Sequence, residues 1–446
     1  MTKWLRLGDY CLKIGSGATP RGGKEAYLAE GPFSLVRSQN VLNDRFSFGG
    51  LAFISQAQAD QLSNVEVQMG DVLLNITGDS VARVCQVDPA VLPARVNQHV
   101  AIVRPNPEVI DARFLRYFFV SPEMQAHMLG LAASGATRNA LTKGMIEKFE
   151  IPAVPLPEQR AIAATLGALD DKIELNRRMN ETLEAMARAL FRDWFFDFGP
   201  TRAKMAQSAA GAKNQNDLTA PYLSPALWPL FPDRLDDAGK PEGWEVQPLT
   251  AFFAIIGGGT PKTSNPALWD GPIPWFSVTD TPAQGSVFVT ATEKTITEAG
   301  LVGSSARLIP KGTTIISARG TVGNIAVAGC EMTFNQSCYG LSGTRPVGDC
   351  ATYLIAQNMV SQLQAMAHGS VFSTITRQTF DALSLPMPSP RVLSAFEDAV
   401  SPQFEMILAN VNESRTLAQT RDLLLPRLMS GELRVAGAAR TLEEVL

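Results

Sequence analysis

The sequence predicts an α+β protein: two mixed α/β domains related by an internal repeat, and two long helices that pair antiparallel as a coiled coil. Three observations carry this. The stretch from Pro157 to Phe196 has no internal proline, and Ile162, Leu166, Leu169, Ile173, Met179, Leu183, Met186, Leu190 and Trp194 recur at spacings of three or four, with one skipped turn filled by Asn176. Charged residues occupy the other faces, the pattern of a helix with a narrow apolar stripe. At 1.5 Å per residue it would run roughly 60 Å, and so narrow a stripe asks for a partner helix. A second such stretch, Pro390 to Leu433, coincides with the first when shifted by 234 residues: Ile162 falls on Phe396, Leu166 on Val400, Ile173 on Ile407, Leu183 on Leu417, Leu190 on Leu424, Trp194 on Leu428 and Asn176 on Asn410. The third observation is that short motifs recur ahead of each helix.

In chain order, residues 1–152 contain short β-like runs, such as Val72-Leu73-Leu74-Asn75-Ile76 and Val100-Ala101-Ile102-Val103, and a helical piece from Asp111 to Leu129. The first long helix occupies 153–200; Pro155 and Pro157 bar an earlier start, and Gly199-Pro200 are expected to stop it. Residues 201–243, rich in Ala, Asn, Pro and Asp without a period, read as a partly extended spacer. The second domain spans 244–386. Trp4 pairs with Trp244, Gly17-Ala18-Thr19-Pro20 with Gly258-Gly259-Thr260-Pro261, Gly70-Asp71-Val72-Leu73-Leu74 with Gly312-Thr313-Thr314-Ile315-Ile316, Asn97-Gln98 with Asn335-Gln336, and Ile151-Pro152 with Leu385-Pro386. The second helix covers 387–433 and leaves a tail, 434–446; Pro402 is expected to kink it or restart it with Ser401 as N-cap. Turn and scaffold residues match between the copies and most of what lies between does not, which suggests one fold reading two different ligands.

With 446 residues and 45% apolar content the chain can bury substantial cores. No apolar run approaches a membrane span, and the first residues lack the apolar core of a signal peptide. Five scattered cysteines without a CxxC pair point to reduced thiols and a cytoplasmic location. The net charge of −4 does not advertise nucleic-acid binding, so any such role must place positive charge locally or on partners. There is no phosphate loop, no HExxH, and the three histidines are far apart; Gly15-Ser16-Gly17 lacks the third glycine of a dinucleotide loop. The chain by itself reads as non-catalytic and free of metal.

What remains is polar, loop-borne and duplicated. Arg37, Ser38, Gln39, Asn40, Asn75, Thr77, Asn97, Gln98, His99, Arg138 and Lys143 are candidates in the first domain; Thr260, Lys262, Ser277, Thr279, Asp280, Arg319, Thr321, Asn335, Gln336, Ser337, Thr374 and Arg377 are candidates in the second. Arg, Asn and Gln make bidentate contacts to base edges, and Ser, Thr and Lys suit phosphates. Any one of them alone reads as a solvated loop residue; the set, present in both copies, reads as a DNA-binding face.

Nearly the whole chain resembles a specificity (S) subunit of a type I restriction-modification system. The resemblance lies in Pro157-Glu158-Gln159, Ile173-Glu174-Leu175-Asn176-Arg177-Arg178, Leu190-Phe191-Arg192-Asp193-Trp194-Phe195, Trp228-Pro229-Leu230-Phe231-Pro232-Asp233, Pro241-Glu242-Gly243-Trp244 and Leu424-Leu425-Pro426-Arg427-Leu428-Met429-Ser430-Gly431-Glu432-Leu433. The second helix departs from it by lacking Glu-Gln at its start. The resemblance implies two target-recognition domains, each reading half of a split double-stranded DNA site, and spacer helices that act as a ruler and dock two methyltransferase (M) subunits. Restriction (R) nuclease-translocase subunits would join for cleavage. S-adenosylmethionine, ATP and Mg²⁺ would sit on those partners, and the docked subunit would flip an adenine in each half-site. Two rival readings are a stand-alone DNA-binding regulator, against which the absence of basic arms counts, and an enzyme with an unrecognised site in the recognition domains. Asn176 and Asn410 are expected at one level of the helix seam, fixing its register near a pseudo-two-fold axis.

Overall fold

The computed structural model describes residues 4–20, 22–133, 139–209, 223–283, 285–368, 374–435 and 437–438. Domain 1 runs through β1 (Trp4–Arg6), β2 (Cys11–Ser16), β3 (Phe33–Val36), β4 (Ala52–Ile54), α1 (Gln56–Gln61), β5 (Glu66–Val67), β6 (Val72–Asn75), β7 (Val84–Gln86), β8 (Ala94–Val96), β9 (Val100–Pro105), α2 (Ala112–Val120), α3 (Pro122–Ala133), α4 (Lys143–Ile146) and β10 (Glu150–Pro152). Helices α5 (Leu156–Phe195) and α6 (Gly199–Ala209) follow. Domain 2 runs through β11 (Glu245–Pro248), β12 (Phe253–Gly257), β13 (Trp269–Phe276), β14 (Phe288–Val289), β15 (Lys294–Ile296), α7 (Glu298–Val302), β16 (Thr314–Ser317), β17 (Ile325–Ala328), β18 (Thr333–Phe334), β19 (Cys338–Gly343), α8 (Asp349–His368), α9 (Arg377–Asp381) and β20 (Ser384–Met387), and α10 (Pro390–Met429) follows it.

The chain divides into two compact units. One holds residues 1–172 and 416–446; the other holds 173–415. Each unit is therefore a domain together with one half of α5 and one half of α10. In the first, sheets are ordered β2-β9-β6-β7, β4-β3-β8-β5 and β1-β10; in the second, β12-β19-β16-β17-β14, β15-β13-β18 and β11-β20. The parallel pairing of β3 with β8 in the first unit reappears as β13 with β18. The repeat seen as scattered motifs is thus a repeat of topology. Its central strands are all-buried runs, Val72-Leu73-Leu74-Asn75 and Thr314-Ile315-Ile316-Ser317, as befits a sheet covered on both faces.

The long helices hold their domains by side chains in their first two or so turns. Gln159, 1% exposed, accepts from the Asp111 N–H (2.9 Å) at the start of α2 and donates to the carbonyls of Val109 (3.0 Å) and Val154 (2.8 Å). In the second unit Glu397 accepts from the N–H groups of Cys350 (2.9 Å) and Ala351 (3.0 Å), which open α8. These are orphan donors of a helix N-terminus, where a carboxylate also meets the favourable end of the helix dipole. The Glu-Gln missing from the start of α10 has its function supplied by Glu397 instead.

Within the second unit the two helices run antiparallel. Phe396 packs on Phe191 (5.7 Å between ring centroids), Trp194 (5.6 Å) and Phe195 (4.9 Å), and further along Asn410 lies beside Asn176. The seam differs from the expected one. Met179 and Met186 are exposed, and the inward positions are Asn176, Asn180, Leu183, Ala187, Phe191 and Trp194. From Asn176 the inward face takes a step of four, to Asn180, where a step of three would have led to Met179, so it carries two consecutive polar residues.

Two other expectations are corrected. Pro402 neither breaks nor restarts α10, which is one helix from Pro390 to Met429; Ser401 donates to the Glu397 carbonyl (2.5 Å) one turn back, so it is not an N-cap. Gly199-Pro200 open α6 rather than merely stopping α5, because proline fits a helix's first turn. The stretch after α5 is also not a loose spacer where it is described. Lys204, 9% exposed, donates to the Phe231 carbonyl (2.6 Å) and pairs with Asp233 (2.9 Å), and Phe231 stacks edge-on against Trp194 (4.9 Å). The Trp228–Asp233 motif is a plug in the second unit's core, with Trp228 and Trp244 both buried.

Candidate nucleic-acid interface

Both domains build the same polar corner from the same local rules. Gly17 runs so close to the β8–β9 connection that a Cβ there would stand 1.7 Å from the Val96 carbonyl; at Gly258 it would stand 2.1 Å from the Asn335 carbonyl. Only glycine permits that approach. It brings Thr19 to Gln98 (2.6 Å) and Thr260 to Gln336. The preceding asparagine folds each turn: Asn97 accepts from the His99 N–H (3.0 Å), and Asn335 from the Ser337 N–H (3.0 Å). In domain 1 the chain of bonds continues, since Gln98 donates through Nε2 to His99 Nε2 (3.0 Å) and His99 Nδ1 lies 2.6 Å from Thr77 Oγ1. With Gln98 as donor, the imidazole proton sits on Nδ1 and points to Thr77. The Gly17→Ala substitution should destabilise the first unit by about 1–3 kcal/mol, because a backbone carbonyl must give way. Gly15→Ala, which would meet nothing within 4 Å, should not; urea unfolding of the two variants measures the difference.

A second matched turn follows β3 and β13. Asn40 accepts from the Arg37 N–H (3.1 Å), and Asp280 from the Ser277 N–H (2.8 Å). A third follows β6 and β16, where Thr77 bridges to Ala140 and Arg319 to Thr374. In the first unit these turns enclose a cleft of about 450 Å³ lined by Ser38, Gln39, Thr77, Gly78, Asp79, Ser80, Arg83 and His99.

The predicted residues therefore divide. Ser38, Gln39, Thr77 and His99 line the cleft, with Gln98 exposed beside it. Thr279, Arg319, Thr321 and Gln336 are exposed at the matching turns of domain 2, and Ser337 is half-buried there. Asn40, Asn75 and Asn97 are corrected: they are 0%, 0% and 5% exposed, and their amides are spent on the main chain, Asn40 and Asn75 donating to the carbonyls of Ser47 (2.9 Å) and Ser38 (2.9 Å). They hold the turns from the buried side. Arg37 is half-buried, bonded to the Gly50 carbonyl and stacked over Tyr27 (5.1 Å). Asp280 likewise braces its loop, accepting from the Glu293 N–H (2.7 Å). Ser277 shares a bond with Thr279 (2.7 Å), and Asn335 is occupied by its turn. Lys262 and Arg377 are exposed, and Lys143 is exposed with Glu147 at 3.5 Å. Arg138 lies outside the described residues. Sequence reasoning missed Asp79, Ser80, Arg83 and Asn324; the glycines at 78 and 320, aligned by the flanking motif, are the signal that could have found them.

Nothing at these turns resembles a reacting centre. Burial pushes the thiols of Cys11, Cys85 and Cys338 up to about 12, which keeps them protonated. Among the described residues no three His, Cys, Asp or Glu side chains are grouped to hold a metal ion, and no helix is long and apolar enough to cross a membrane. Two domains on one scaffold, each presenting a different set of exposed hydrogen-bonding side chains at matched turns, define a two-headed recognition protein.

Comparison with known proteins gives that class its identity. Residues 5–185 and 241–391 match the type I restriction modification DNA specificity domain, and the chain belongs to that family. It is similar to the type I restriction enzyme HindI specificity subunit of Haemophilus influenzae, 27% identical over 434 residues that cover 90% of this chain and 94% of the relative. A 177-residue stretch is 30% identical to the MjaIX specificity subunit of Methanocaldococcus jannaschii, covering 37% of this chain and 40% of that one. In fold it is similar to the S subunit of a type I restriction-modification system from M. genitalium, with a TM-score of 0.53, 15% identity and 96% of each chain covered. The chain is thus a DNA-recognition, non-catalytic specificity subunit of a type I restriction-modification system.

Proposed function

We propose that the two domains read the two halves of an asymmetric split DNA site, and that the long helices dock two methyltransferase subunits and set the gap between the halves. The observation that carries this is the pairing of one scaffold with two sets of exposed or half-buried hydrogen-bonding side chains. Where domain 1 presents Gln39, Thr77, Asp79, Arg83 and His99, domain 2 presents Thr279, Arg319, Thr321, Asn324 and Ser337 at the corresponding turns. Equal scaffolds with unequal donors and acceptors select unequal base sequences. Each domain reads base edges in the major groove, the docked methyltransferase subunit flips an adenine in each half-site, and DNA methylated in both halves is spared. S-adenosylmethionine, ATP and Mg²⁺ act on the methyltransferase and nuclease-translocase partners, in the cytoplasm.

Docking is supported by Leu175, Met179 and Met186, which are 53%, 37% and 54% exposed. Spacings of four and seven put them on one face of α5, away from the inward seam, and an exposed apolar stripe of this kind fits a partner surface. The partners also help clamp the phosphates, which fits a subunit of net charge −4.

The test is methylation-sensitive sequencing of DNA from a host carrying this chain with its methyltransferase subunit. The expected motif is asymmetric, in two parts, with one fixed unspecified gap and half-site centres roughly one helical turn apart. A palindromic or contiguous motif would overturn the reading. The purified chain alone should neither methylate nor cut DNA, and methyl transfer by the homogeneous chain would count against it equally.

A further inference from the structure

We infer that the turn after β6 is the specificity-determining element of domain 1, and that its Asp79 and Arg83 read the two bases of one G·C pair. This rests on the split-site reading above and deepens it.

The turns after β6 and β16 have matching frames. Each is bounded by two left-handed residues: Gly78 (φ 76°) and Ala82 (φ 69°) in domain 1, Gly320 (φ 75°) and Gly323 (φ 94°) in domain 2. The rungs closing them correspond as well, Asn75 N–H to the Arg83 carbonyl (2.9 Å) and Ser317 N–H to the Asn324 carbonyl (2.8 Å). Each frame is pinned by one buried valine, Val81 at 7% and Val322 at 8% exposure. Between the left-handed residues, however, domain 1 has Asp79-Ser80-Val81 and domain 2 only Thr321-Val322. Length and chemistry vary inside a constant frame, and every residue except the valine is free to do so. Ala82 is fully buried, its N–H donates to the Asn75 carbonyl (2.9 Å) and its carbonyl accepts from Gln125 (2.9 Å), so its left-handed backbone belongs to the frame and fixes where Arg83 emerges. A left-handed conformation is one L residues rarely adopt, and keeping it here holds Arg83 at the edge of the cleft.

Asp79 and Arg83 are exposed, and among the described residues neither side chain makes a hydrogen bond or an ion pair. An ionised carboxylate only accepts, so in the major groove it seeks an exocyclic amine, and it favours cytosine N4 over adenine N6 because the adenine amine is flanked by the N7 acceptor, which repels the carboxylate. A guanidinium fork only donates and matches O6 and N7 of guanine. The two together fit one G·C pair. Thr321 and Asn324 lack both charges, so domain 2 reads a different pair at the equivalent position.

The test uses the assembled methyltransferase complex and maps methylated motifs for Asp79→Asn, Arg83→Gln and Arg83→Lys. Matching thermal unfolding of variants and wild type checks that the exposed substitutions leave the fold intact. Each variant should relax one G·C position of one half-site, losing about ten- to one-hundred-fold in discrimination, with the other half-site and the gap unchanged. Arg83→Lys should recover only part of the selectivity, since an ammonium reaches O6 and N7 without the fixed geometry of the guanidinium fork. The proposal is overturned if the motif is unchanged, if methylation falls equally at all sites and lysine restores it, as a phosphate contact would behave, or if the relaxed position is an A·T pair. A wild-type complex that methylates no split motif would instead overturn the reading on which this rests.

Discussion

Replacing Arg421 with Met should destabilise the first unit by about 3–5 kcal/mol, the cost of leaving a buried charge without its partner. Arg421 reaches Asp44 (2.7 Å) and Asp170 (2.8 Å) with one nitrogen, while Arg116 reaches the same two carboxylates at 2.8 and 2.6 Å. Tyr117 also donates to Asp170. Arg421 also pairs with the exposed Asp422 (2.8 Å); without Arg421, the two carboxylates at 16% side-chain exposure face one guanidinium. Asp44 is held with positive φ (67°), a conformation an aspartate tolerates but seldom chooses, so the cluster also fixes the loop that carries it. Urea unfolding should show the loss in the first unit's transition, and the Asp44→Asn change should partly restore it. A loss below about 1 kcal/mol would mean that water already screens the pair.

The same cluster sets a pH dependence. Burial pushes Asp44 up to about 6, against the pull of Arg116. Burial also opposes ionisation of Asp170, but Arg116 and the bonds from Tyr117 and Arg421 outweigh it and hold that carboxyl below its usual range. A folded-state value above the unfolded one means the folded form binds the proton more readily. Asp44 therefore adds stability as pH falls through about 6 toward 4. Asp170 contributes stability above its unfolded value, which is lost as pH falls below about 4. Unfolding free energy should rise by about 1–3 kcal/mol from pH 7 to 5 and fall again below pH 4. Asp44→Asn should flatten the rise. In Arg421→Met the deficit should be greatest at pH 8 and shrink toward pH 5, because protonation then relieves the unpaired acids.

The second large effect is expected at the helix seam. Asn176 donates to the side chains of Glu413 (2.7 Å) and Ser414 (3.2 Å) and approaches the Asn410 carbonyl (3.5 Å); Asn410 donates to Asn180 (2.8 Å). Under the 234-residue repeat, Asn176 to Ser414 and Asn410 to Asn180 are the same contact made in both directions. Asn176, Asn180 and Asn410 are 0%, 2% and 6% exposed. Asn410→Leu alone leaves the Asn180 oxygen buried without a donor and should cost about 1–3 kcal/mol. Replacing all three with Leu removes the Asn410–Asn180 donor and acceptor together, and the partners it leaves, Glu413 and Ser414, are only half-buried, so it should cost less. What it should lose is register, for which leucines have no preference, while a slip of one turn is about 5.4 Å against the ~3.4 Å spacing of base pairs. The triple variant should keep both half-site preferences and accept more than one gap length. A single unchanged gap would remove the register role from these residues.

Much of the architecture was legible in the chain because periodicity and turn chemistry are local. Apolar spacing announced both helices, and glycine, proline and asparagine repeated at fixed offsets announced the duplicated domain, because only those residues permit the close approach at Gly17 and Gly258 and the turns at Asn97 and Asn335. The motifs that identify the family are of the same kind. What only the tertiary structure decided is which polar residues face inward. Asn40, Asn75 and Asn97 have the composition of a binding face, yet their amides complete turns that no other residue completes, and a sequence does not say whether an amide meets a carbonyl of its own chain or water. The seam was misjudged for a related reason. Methionine is more apolar than asparagine, so the pattern favoured Met179, but helix geometry put Asn180 inside once Asn410 stood opposite to receive it. Asp79 and Arg83 escaped notice because their meaning comes from a frame made by the left-handed backbone at Gly78 and Ala82, and alanine gives no sign of a left-handed turn. Local rules write themselves into the sequence; the direction a side chain takes is set by whatever the fold brings beside it.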